Sequence, residues 1–585
     1  MTKQSANALM RNVGIAVLTG TLVFAQVPVA AIAEETSGGQ APQAQDGGTP
    51  PEKSSGEEGT DGQLGEQPSG EAPDGAPGDG QGGQPGGAPG GGMGGANTMT
   101  FDYSGSYSGA VTADGESVTA DSASYEATEA DVNAALAQNG GALALTGVTL
   151  TKSGDDTNGD NCNFYGLNSI LLAVGEGSTA TIQDSALSAT SEGSNGIFAT
   201  DNATVLAKNV TISTTASNSR GLDATYGGTI LAGNVTISTQ GDHCAGVATD
   251  RGGGNISLEG GEISTAGSGS PLLYSTGDVE VKNVTGTSTG SQIAGMEGLN
   301  TILIEDSTLE STITSKTASD PVANGVIIYQ STSGDAEAST GETATFQAVN
   351  STLKSAIESG SMFYLTNTSA DVVIKNTALD FDSSKAMLLY AAGNDSNSWG
   401  SAGSNGATVK FTGIQQELAG DVVADTISSI DLYLADGTIW TGSARIEENA
   451  AGSTSEAPIT VNVDDNSAWV VTGDSTVSNL NVASGAKVVD ADGKAVTIVA
   501  GGQTVVAGDS SYTITVTGNY STSYDESSAG TVTTEKIDRS AYDEAFGAGE
   551  ETGTAAGSDA AASSDSSGGG WFAAVIAWFK GLFGL

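Results

Sequence analysis

The feature that most constrains the fold of this chain is an internal repeat with a period in the twenties. Three similar segments end at Leu187, Ile212 and Ile237, in two steps of 25 residues. The same frame recurs at residues 258–263, 281–285, 304–309, 350–353 and 374–379. A period of this length is typical of a solenoid, in which each repeat packs only against its neighbours.

One position in each repeat holds Asn, Asp or Gly. These residues tolerate the left-handed backbone conformation that a sharp corner between two short strands requires. Stacked corner side chains can also hydrogen-bond from one turn of the solenoid, or rung, to the next. Several lie in Asn-x-Thr or Asn-x-Ser sequons, but the periodicity explains them as corners without glycosylation. The predicted corners are Asp184, Asn209, Asn234, Asn283, Asp306, Asn350 and Asn376, with Gly147 and Gly260 in equivalent places.

Between the corners lie short apolar patches, such as residues 196–199, 325–329 and 387–390. Strands this short, with no room for a helix, predict an all-β fold, a right-handed parallel β-helix. Each rung should rise about 4.8 Å, and Ile, Leu, Val and Ala should fill the interior. After about residue 407 the register changes, but Trp440 and Trp469 are 29 residues apart, which predicts further rungs or a β-rich cap.

The N-terminus predicts export. Lys3 and Arg11 precede an apolar run over residues 13–33 that closes with small residues, the pattern of a secretory signal peptide cleaved after Ala33. The alternative is a membrane anchor, which needs roughly 20 uninterrupted apolar residues. Pro28 interrupts the run, so removal is the favoured interpretation.

The flanking segments differ in composition from the repeats. Two stretches are rich in Gly with Pro or Ser and acidic residues, and they cannot bury a core. As a helix the last fifteen residues would reach about 22 Å, short of the roughly 30 Å hydrocarbon core. We therefore expect them to lie in a membrane interface, or dock on a partner or on the rod itself. The predicted order is a signal peptide (1–33), a disordered linker (34–98), the parallel β-helix (99–406), its continuation or a β-rich cap (407–545), a linker (546–570) and a short hydrophobic tail (571–585).

Composition narrows the class of partner. The chain has 84 Gly, 15% charged residues and a net charge of −50. Nucleic acid is therefore excluded as a partner, because binding it depends on Lys and Arg. Anionic lipids and acidic glycans should also be repelled unless a cation bridges them.

The two cysteines, Cys162 and Cys244, do not form a disulfide framework. They are predicted to lie three rungs apart, about 14 Å, whereas a disulfide tolerates Cα separations up to about 7 Å. Both should therefore be unpaired, unless the insertion around residues 155–163 folds over and closes the gap.

Residues 467–480 read SAWVVTGDSTVSNL. This run resembles rungs of bacterial adhesin-type β-helices, including autotransporter-like passenger domains. Residues 100–520 as a whole resemble the right-handed β-helix repeat proteins of the pectate-lyase-like superfamily that occur on bacterial surfaces. The resemblance implies adhesion or carbohydrate contact, although the superfamily also contains lyases and glycosidases.

A candidate binding face follows from the 25-residue register. Asp201, Tyr226 and Arg251 are 25 residues apart and should stack as an exposed ladder on one face. An aromatic ring beside carboxylates and arginines suits sugar binding, and catalysis by an arginine base or a carboxylate pair is an alternative. A solvated surface with an Asp–Arg pair is the plain interpretation. Four more candidate ligand-binding residues fall close to the ladder: Arg220, Asp223, His243 and Asp250.

Other motifs carry weaker hypotheses. Asp156, Asn158 and Asp160 alternate oxygen ligands as in part of a calcium loop, but the glutamate that closes an EF-hand is missing. The GxSxG pattern at residues 286–290 lacks a strand-to-helix elbow and fits chance. A zinc site is disfavoured because His243 is the only histidine. No catalytic residue and no cofactor other than calcium is assigned.

These features predict an exported, monomeric, adhesin-like protein held at the bacterial cell surface, which binds carbohydrate or a host or neighbouring surface. The first alternative is a polysaccharide lyase or glycoside hydrolase that acts on an acidic or plant-type glycan. The second is a purely structural rod.

Overall fold

The computed structural model describes residues 99–331, 336, 343–395 and 399–547. All of them belong to the unit Gln84–Leu585. The predicted signal peptide, the linker 34–98, the tail 571–585 and nearly all of the linker 546–570 lie outside the described residues.

The repeats fold into stacked parallel strands, and this confirms the predicted all-β parallel β-helix. One wall is a parallel sheet of 13 strands, sheet A, with one strand from each rung. Its strands are Gly109–Asp114, Asn133–Gln138, Leu171–Val174, Ile197–Thr200, Leu222–Ala224, Val247–Thr249, Leu273–Ser275, Ala294–Glu297, Asn324–Tyr329, Ser361–Thr366, Met387–Ala391, Val422–Asp425 and Ala444–Glu447.

The other two walls form sheet B, which has 22 strands. Its two ladders are joined because three long strands run around the corner without a break. The strands are Ser117–Asp121, Ser124–Ala127, Ala142–Thr146, Thr149–Lys152, Thr179–Gln183, Ala186–Ala189, Thr204–Lys208, Thr211–Thr214, Gly228–Thr239, Gly254–Thr265, Asp278–Ser288, Thr301–Glu305, Thr308–Ser311, Ala344–Val349, Thr352–Ser355, Ser369–Lys375, Ala378–Asp380, Thr408–Ile414, Ser429–Ala435, Ile459–Val463, Asn479–Val482 and Tyr520–Ser521.

The rungs continue past residue 407 and then change into a β-rich end. Sheet C takes over one wall with Glu417–Ala419, Ile439–Gly442, Ala468–Val471 and Lys487–Asp490. Sheet D follows with Ser475–Val477, Thr497–Ala500, Gln503–Val506 and Thr513–Val516, and it contains an antiparallel pair. Helical segments are short: Gly159–Tyr165, the 3₁₀ turn Glu526–Ser528 and Ser540–Phe546.

The predicted corners are confirmed. All nine corner residues have positive φ, from 45° at Asn376 to 73° at Gly260. The side chains also form the expected ladder: Asn209 Nδ2 donates to Asp184 Oδ1 over 2.9 Å, and Asn234 Nδ2 donates to Asn209 Oδ1 over 2.8 Å. These two corner amides therefore each pair with the corner side chain of the preceding rung.

The interior is mainly apolar. Ile212 and Ile237 are in register and fully enclosed. Trp440 and Trp469 are also register partners, with ring centroids 4.6 Å apart, so the 29-residue spacing is one rung. Cys162 and Cys244 are both free and buried, as expected.

A C-terminal segment that the sequence did not predict runs back along the outside of sheet B. We call residues 530–546 the strap. The backbone N–H of Gly530 donates to Thr412 Oγ1 over 2.8 Å at one end, and Lys208 Nζ donates to the carbonyl of Phe546 over 3.3 Å at the other. The strap therefore crosses the rungs from Thr412 back to Lys208.

Candidate functional site

The site is built on the outward side of sheet A. Strand residues alternate between the core and the outside, and the strand centres form one outward column across the rungs. The column begins with the apolar residues Leu136, Leu172 and Phe198. It continues through Asp223, Ala248, Tyr274, Gly295, Ile327, Tyr364 and Tyr390.

Both ends of this column are covered. The helix Gly159–Tyr165 and the segment around Phe101 and Tyr107 lie over Leu172 and Phe198. At the other end, Trp399 packs with Ile327 and Tyr364. Between the two covers the column has an open part, where Tyr274 is half-buried and Gly295 provides no side chain.

The open part is a cleft of about 330 Å³, within the size range of small-ligand sites. Polar and aromatic groups converge on it from several rungs. The side chains that we call the cleft residues are Arg220, His243, Asp250, Tyr274, Gln292, Asp320, Tyr329 and Trp399.

Arg220 joins two carboxylates at one end of the cleft. Its Nη1 donates to Asp223 Oδ2 over 2.8 Å and its Nη2 donates to Asp250 Oδ2 over 2.7 Å. The backbone N–H of Arg251 donates to the other oxygen of Asp250 over 2.8 Å. Asp223 lies fully buried beneath this pair. Burial raises the pKa of Asp223, while the charge of Arg220 opposes the shift.

Asp320 supplies a second carboxylate, from the insertion before the strand Asn324–Tyr329. Only 6% of it is exposed. Its Oδ2 accepts from Asn324 Nδ2 over 2.8 Å, and within the described part of the chain its Oδ1 has no hydrogen-bond donor and neither oxygen has an ion-pair partner. Burial raises the pKa of Asp320 to about 6, against the effects of Asn324 and of the nearby Lys316.

Aromatic side chains form the opposite wall. The rings of Tyr329 and Trp399 are stacked, with centroids 4.2 Å apart and planes at 15°. The hydroxyl of Tyr274 donates to Glu297 Oε2 over 3.0 Å and lies 3.4 Å from the hydroxyl of Tyr329. Burial raises the pKa of both tyrosines well above the usual value, so both remain neutral donors.

Three of the seven predicted ligand-binding residues line this cleft: Arg220, His243 and Asp250. Asp223 lies directly beneath Arg220. Asp201 lies elsewhere, in a hollow of about 500 Å³ with Phe101, Tyr107 and Glu176.

The prediction that Asp201, Tyr226 and Arg251 form an exposed ladder is wrong about exposure. The register itself is as expected, because the backbone N–H of Tyr226 donates to the carbonyl of Arg251 over 3.1 Å. However, Tyr226 is 6% exposed and Arg251 is 8% exposed.

Aromatic residues from outside the repeats cover these two side chains. Tyr226 stacks on Tyr165 with centroids 5.6 Å apart, and Phe101 packs edge-on against it. The guanidinium of Arg251 lies 3.6 Å from the ring centre of Phe164. Substituting Tyr226 or Arg251 should therefore reduce stability, contrary to the expectation for an outward face.

The candidate calcium residues have local roles. Asn158 is the N-cap of the helix Gly159–Tyr165, and its Oδ1 accepts from the backbone N–H groups of Asp160 and Asn161. Asp156 lies beside Glu192 and Cys162, and its pKa is raised first by burial. Within the described ranges, no group of three or more His, Cys, Asp or Glu could hold a metal ion. Calcium binding there stays a prediction.

A larger hollow of about 800 Å³ lies beside the corners near sheet C. Its polar lining includes Asn376 and Gln415, whose side chains donate to Asn350 over 2.9 Å and to Asp436 over 2.7 Å. These amides belong to the corner ladder, so the fold already accounts for them. The GxSxG pattern is equally structural, since Gly286, Thr287 and Ser288 lie within a strand of sheet B.

Sequence reasoning missed Tyr274, Gln292, Asp320, Tyr329 and Trp399 as site residues. Tyr274 and Tyr329 lie in short apolar stretches of the sequence, which predict strands and no site. Asp320 and Trp399 lie in insertions between repeats, where the period gives no register. One sequence signal could have indicated the site: polar and aromatic residues in an insertion that precedes or follows a strand of sheet A.

No protein-family model, curated protein or solved structure matches this chain. Among the described residues, no helix is both long and apolar enough to cross a membrane.

Proposed function

We propose that this protein binds carbohydrate in the cleft on sheet A. One observation carries the proposal: the same open cleft combines an aromatic wall with side chains that donate and accept hydrogen bonds. Tyr274, Tyr329 and Trp399 supply aromatic surface, and Asp250, Asp320 and Gln292 supply acceptors and donors. Sugars present apolar faces and many hydroxyls, so they need both kinds of contact.

Gln292 illustrates how the cleft is prepared for hydroxyl groups. Ser291 Oγ donates to its Oε1 over 2.6 Å, which orients the amide. Its Nε2 has no acceptor within the described part of the chain and is therefore available to a ligand. A buried polar group of this kind contributes specificity, because a ligand that leaves it unpaired is rejected.

A glycan array with the full-length protein tests the proposal, and the variant Tyr274→Ala identifies the site. We expect this substitution to weaken glycan binding at least tenfold. Tyr390→Ala is the matched control, because Tyr390 lies in the same outward column but does not line the cleft. Equal loss in both variants, or no glycan bound by the unaltered protein, would contradict the proposal.

Glycan cleavage is a second candidate, favoured by one observation. Asp223 and Asp320 both have raised pKa values, as a general acid requires. Asp223 is, however, fully buried beneath Arg220, so Asp320 is the better candidate acid. Release of reducing ends from a bound glycan, and loss of that release in Asp320→Asn, would support cleavage over simple binding.

We further propose that the protein is exported and held at the bacterial cell surface as an adhesin-like rod. The signal-like sequence of residues 1–33 and the apolar residues 571–585 support this. Deleting residues 571–585 should release the protein into the medium with its β-sheet circular dichroism unchanged. Retention on cells after the deletion would argue against the tail as the anchor.

A further inference from the structure

Acidic side chains outnumber basic ones in and around the cleft, which is not needed to bind a neutral sugar. Four carboxylates lie in it or directly behind it: Asp223, Asp250, Asp320 and Glu297. Two guanidinium groups offset them: Arg220, which Asp223 and Asp250 share, and Arg251, which lies 3.6 Å from the ring centre of the cleft-lining Phe164. Lys316 acts on Asp320 but is exposed and does not line the cleft. The cleft therefore has an excess of negative charge.

Asp320 is the carboxylate left available by the protein. It is nine-tenths buried and lines the cleft, and no cation in the described ranges lies within ion-pair distance of it. Holding an ionised carboxylate in such a place costs free energy that a ligand cation would recover. Because Tyr329 and Trp399 present stacked rings in the same cleft, a cation there could also contact an aromatic face.

We propose that the cleft selects glycans that carry a free amino group, such as deacetylated hexosamines, over neutral or acidic glycans. The ammonium group pairs with Asp320, and the sugar ring lies against Tyr274 and the wall formed by Tyr329 and Trp399. This inference rests on the proposed carbohydrate binding and adds the chemical class of the ligand. It excludes uronate-rich glycans, whose carboxylates would meet the excess of negative charge.

Gly295 shapes the floor of the cleft. It is the register partner of Tyr274 in the next rung, about 4.8 Å away, and both residues line the cleft. A Cβ placed at Gly295 would lie 3.4 Å from the Tyr274 ring and 3.5 Å from Gln292 Nε2. A side chain at this position would thus fill the floor of the cleft without removing a polar group.

Binding of three tetrasaccharides to the full-length protein tests the inference by calorimetry at fixed ionic strength. The probes are a glucosamine oligomer, its N-acetylated counterpart and a galacturonic acid oligomer. We expect the glucosamine oligomer to bind at least tenfold more tightly than the N-acetylated one, and the galacturonic acid oligomer not to bind. Equal affinity for the first two would overturn the amine preference and leave carbohydrate binding intact. Failure of all three would overturn both.

Two variants separate pairing in the cleft from general attraction to an acidic protein. Asp320→Asn should reduce the preference for the amine to less than threefold. Asp278→Asn is the matched control, because Asp278 lies in sheet B and burial raises its pKa to about 6 as well. An equal effect of both variants would overturn the inference. A tetralysine peptide that binds as tightly as the glucosamine oligomer would overturn it too, since charge alone would then suffice.

Gly295→Val should abolish binding of every ligand of the cleft.

Discussion

Sheets A and B are built from the same rungs, but their outward-facing columns of side chains are covered to different extents. The strap buries the outward column of sheet B. The outward column of sheet A is covered at its two ends and open in the middle. The buried sheet B column consists of Leu206, Leu231, Ser257, Leu303, Gln347, Val373 and Thr412, with half-buried Glu280 between Ser257 and Leu303. A solenoid face that is closed by its own chain has a structural role, and the open one remains available to a ligand.

The strap binds its face much as a peptide binds a groove. The side-chain amide of Gln347 donates to the carbonyl of Thr531 over 3.3 Å and accepts from the N–H of Thr533 over 2.9 Å. Arg539 donates to the carbonyl oxygens of Ser257 and Ala232 over 2.9 and 3.1 Å. These contacts pair several polar groups on the covered face of sheet B. In the cleft on sheet A, in contrast, Asp320 Oδ1 and Gln292 Nε2 have no partner within the described residues.

The largest effect should come from breaking the ion cluster of the cleft. Arg220→Ala leaves the buried carboxylates Asp223 and Asp250 without their shared cation, which should lower the free energy of unfolding by about 3–5 kcal/mol. Protonation of the carboxylates would relieve part of this loss. Denaturant unfolding should therefore show a smaller loss at pH 5 than at pH 7. A loss under 1 kcal/mol at pH 7 would mean that water reaches these carboxylates and that the cluster is not enclosed.

Removing an anchor of the strap should have the next largest effect, on the other face. Tyr542 packs in a cluster with Leu206 and Leu231, so Tyr542→Ala should cost about 2–4 kcal/mol. Glycan binding should not change, because the strap does not touch the cleft residues. Thermal unfolding together with calorimetric binding measures both. Loss of glycan affinity in this variant would show that the two faces are coupled.

Two buried carboxylates provide a direct comparison of the faces. Asp320 in the cleft and Asp278 in sheet B each have a pKa raised to about 6 by burial, above an unfolded value of about 3.9. A raised folded pKa means that ionisation destabilises the folded state above about pH 6, and that this penalty disappears as the pH falls below the unfolded value.

Asp320→Asn removes that penalty and should raise the stability by up to about 3 kcal/mol at pH 7, with no gain at pH 4. Asp278→Asn should show the same sign and a similar gain, because its pKa is raised to about 6 as well. Melting temperatures across pH 4–8 measure both. Only Asp320→Asn should gain stability at the expense of ligand binding, the trade-off expected of a functional site. A destabilised Asp320→Asn at pH 7 would contradict the assignment.

The repeat period predicted the architecture because it records backbone geometry. Corners such as Asn209 and Asn234 must adopt positive φ, and few residues do so without strain, so the requirement is visible in the sequence. The cleft could not be derived in the same way. Trp399 and Asp320 come from insertions, and the cover over Tyr226 comes from Phe101 and Tyr165, outside the repeat frame.

The sequence of the strands under the strap indicates that they are covered. Val205, Leu206 and Ala207 are apolar in succession, as are Ile230, Leu231 and Ala232. An exposed strand face should alternate apolar and polar residues, so an apolar residue at the outward position indicates a cover. The pattern tells that something lies over the face, but the covering segment follows more than 300 residues later in the chain and shares no period with it.

The smallest expected effect tests whether the corners are independent of both faces. Asn234→Ala removes the hydrogen bond to Asn209 and places Ala at a φ of 52°, which should cost about 1–2 kcal/mol. Asn234→Gly removes the same hydrogen bond without the backbone strain, so the difference between the two variants isolates the strain. Both should bind glycans as the unaltered protein does, because the corner joins the two ladders of sheet B and does not line the cleft. If Asn234→Gly is as unstable as Asn234→Ala, the amide ladder rather than the backbone conformation determines the choice of Asn at this corner.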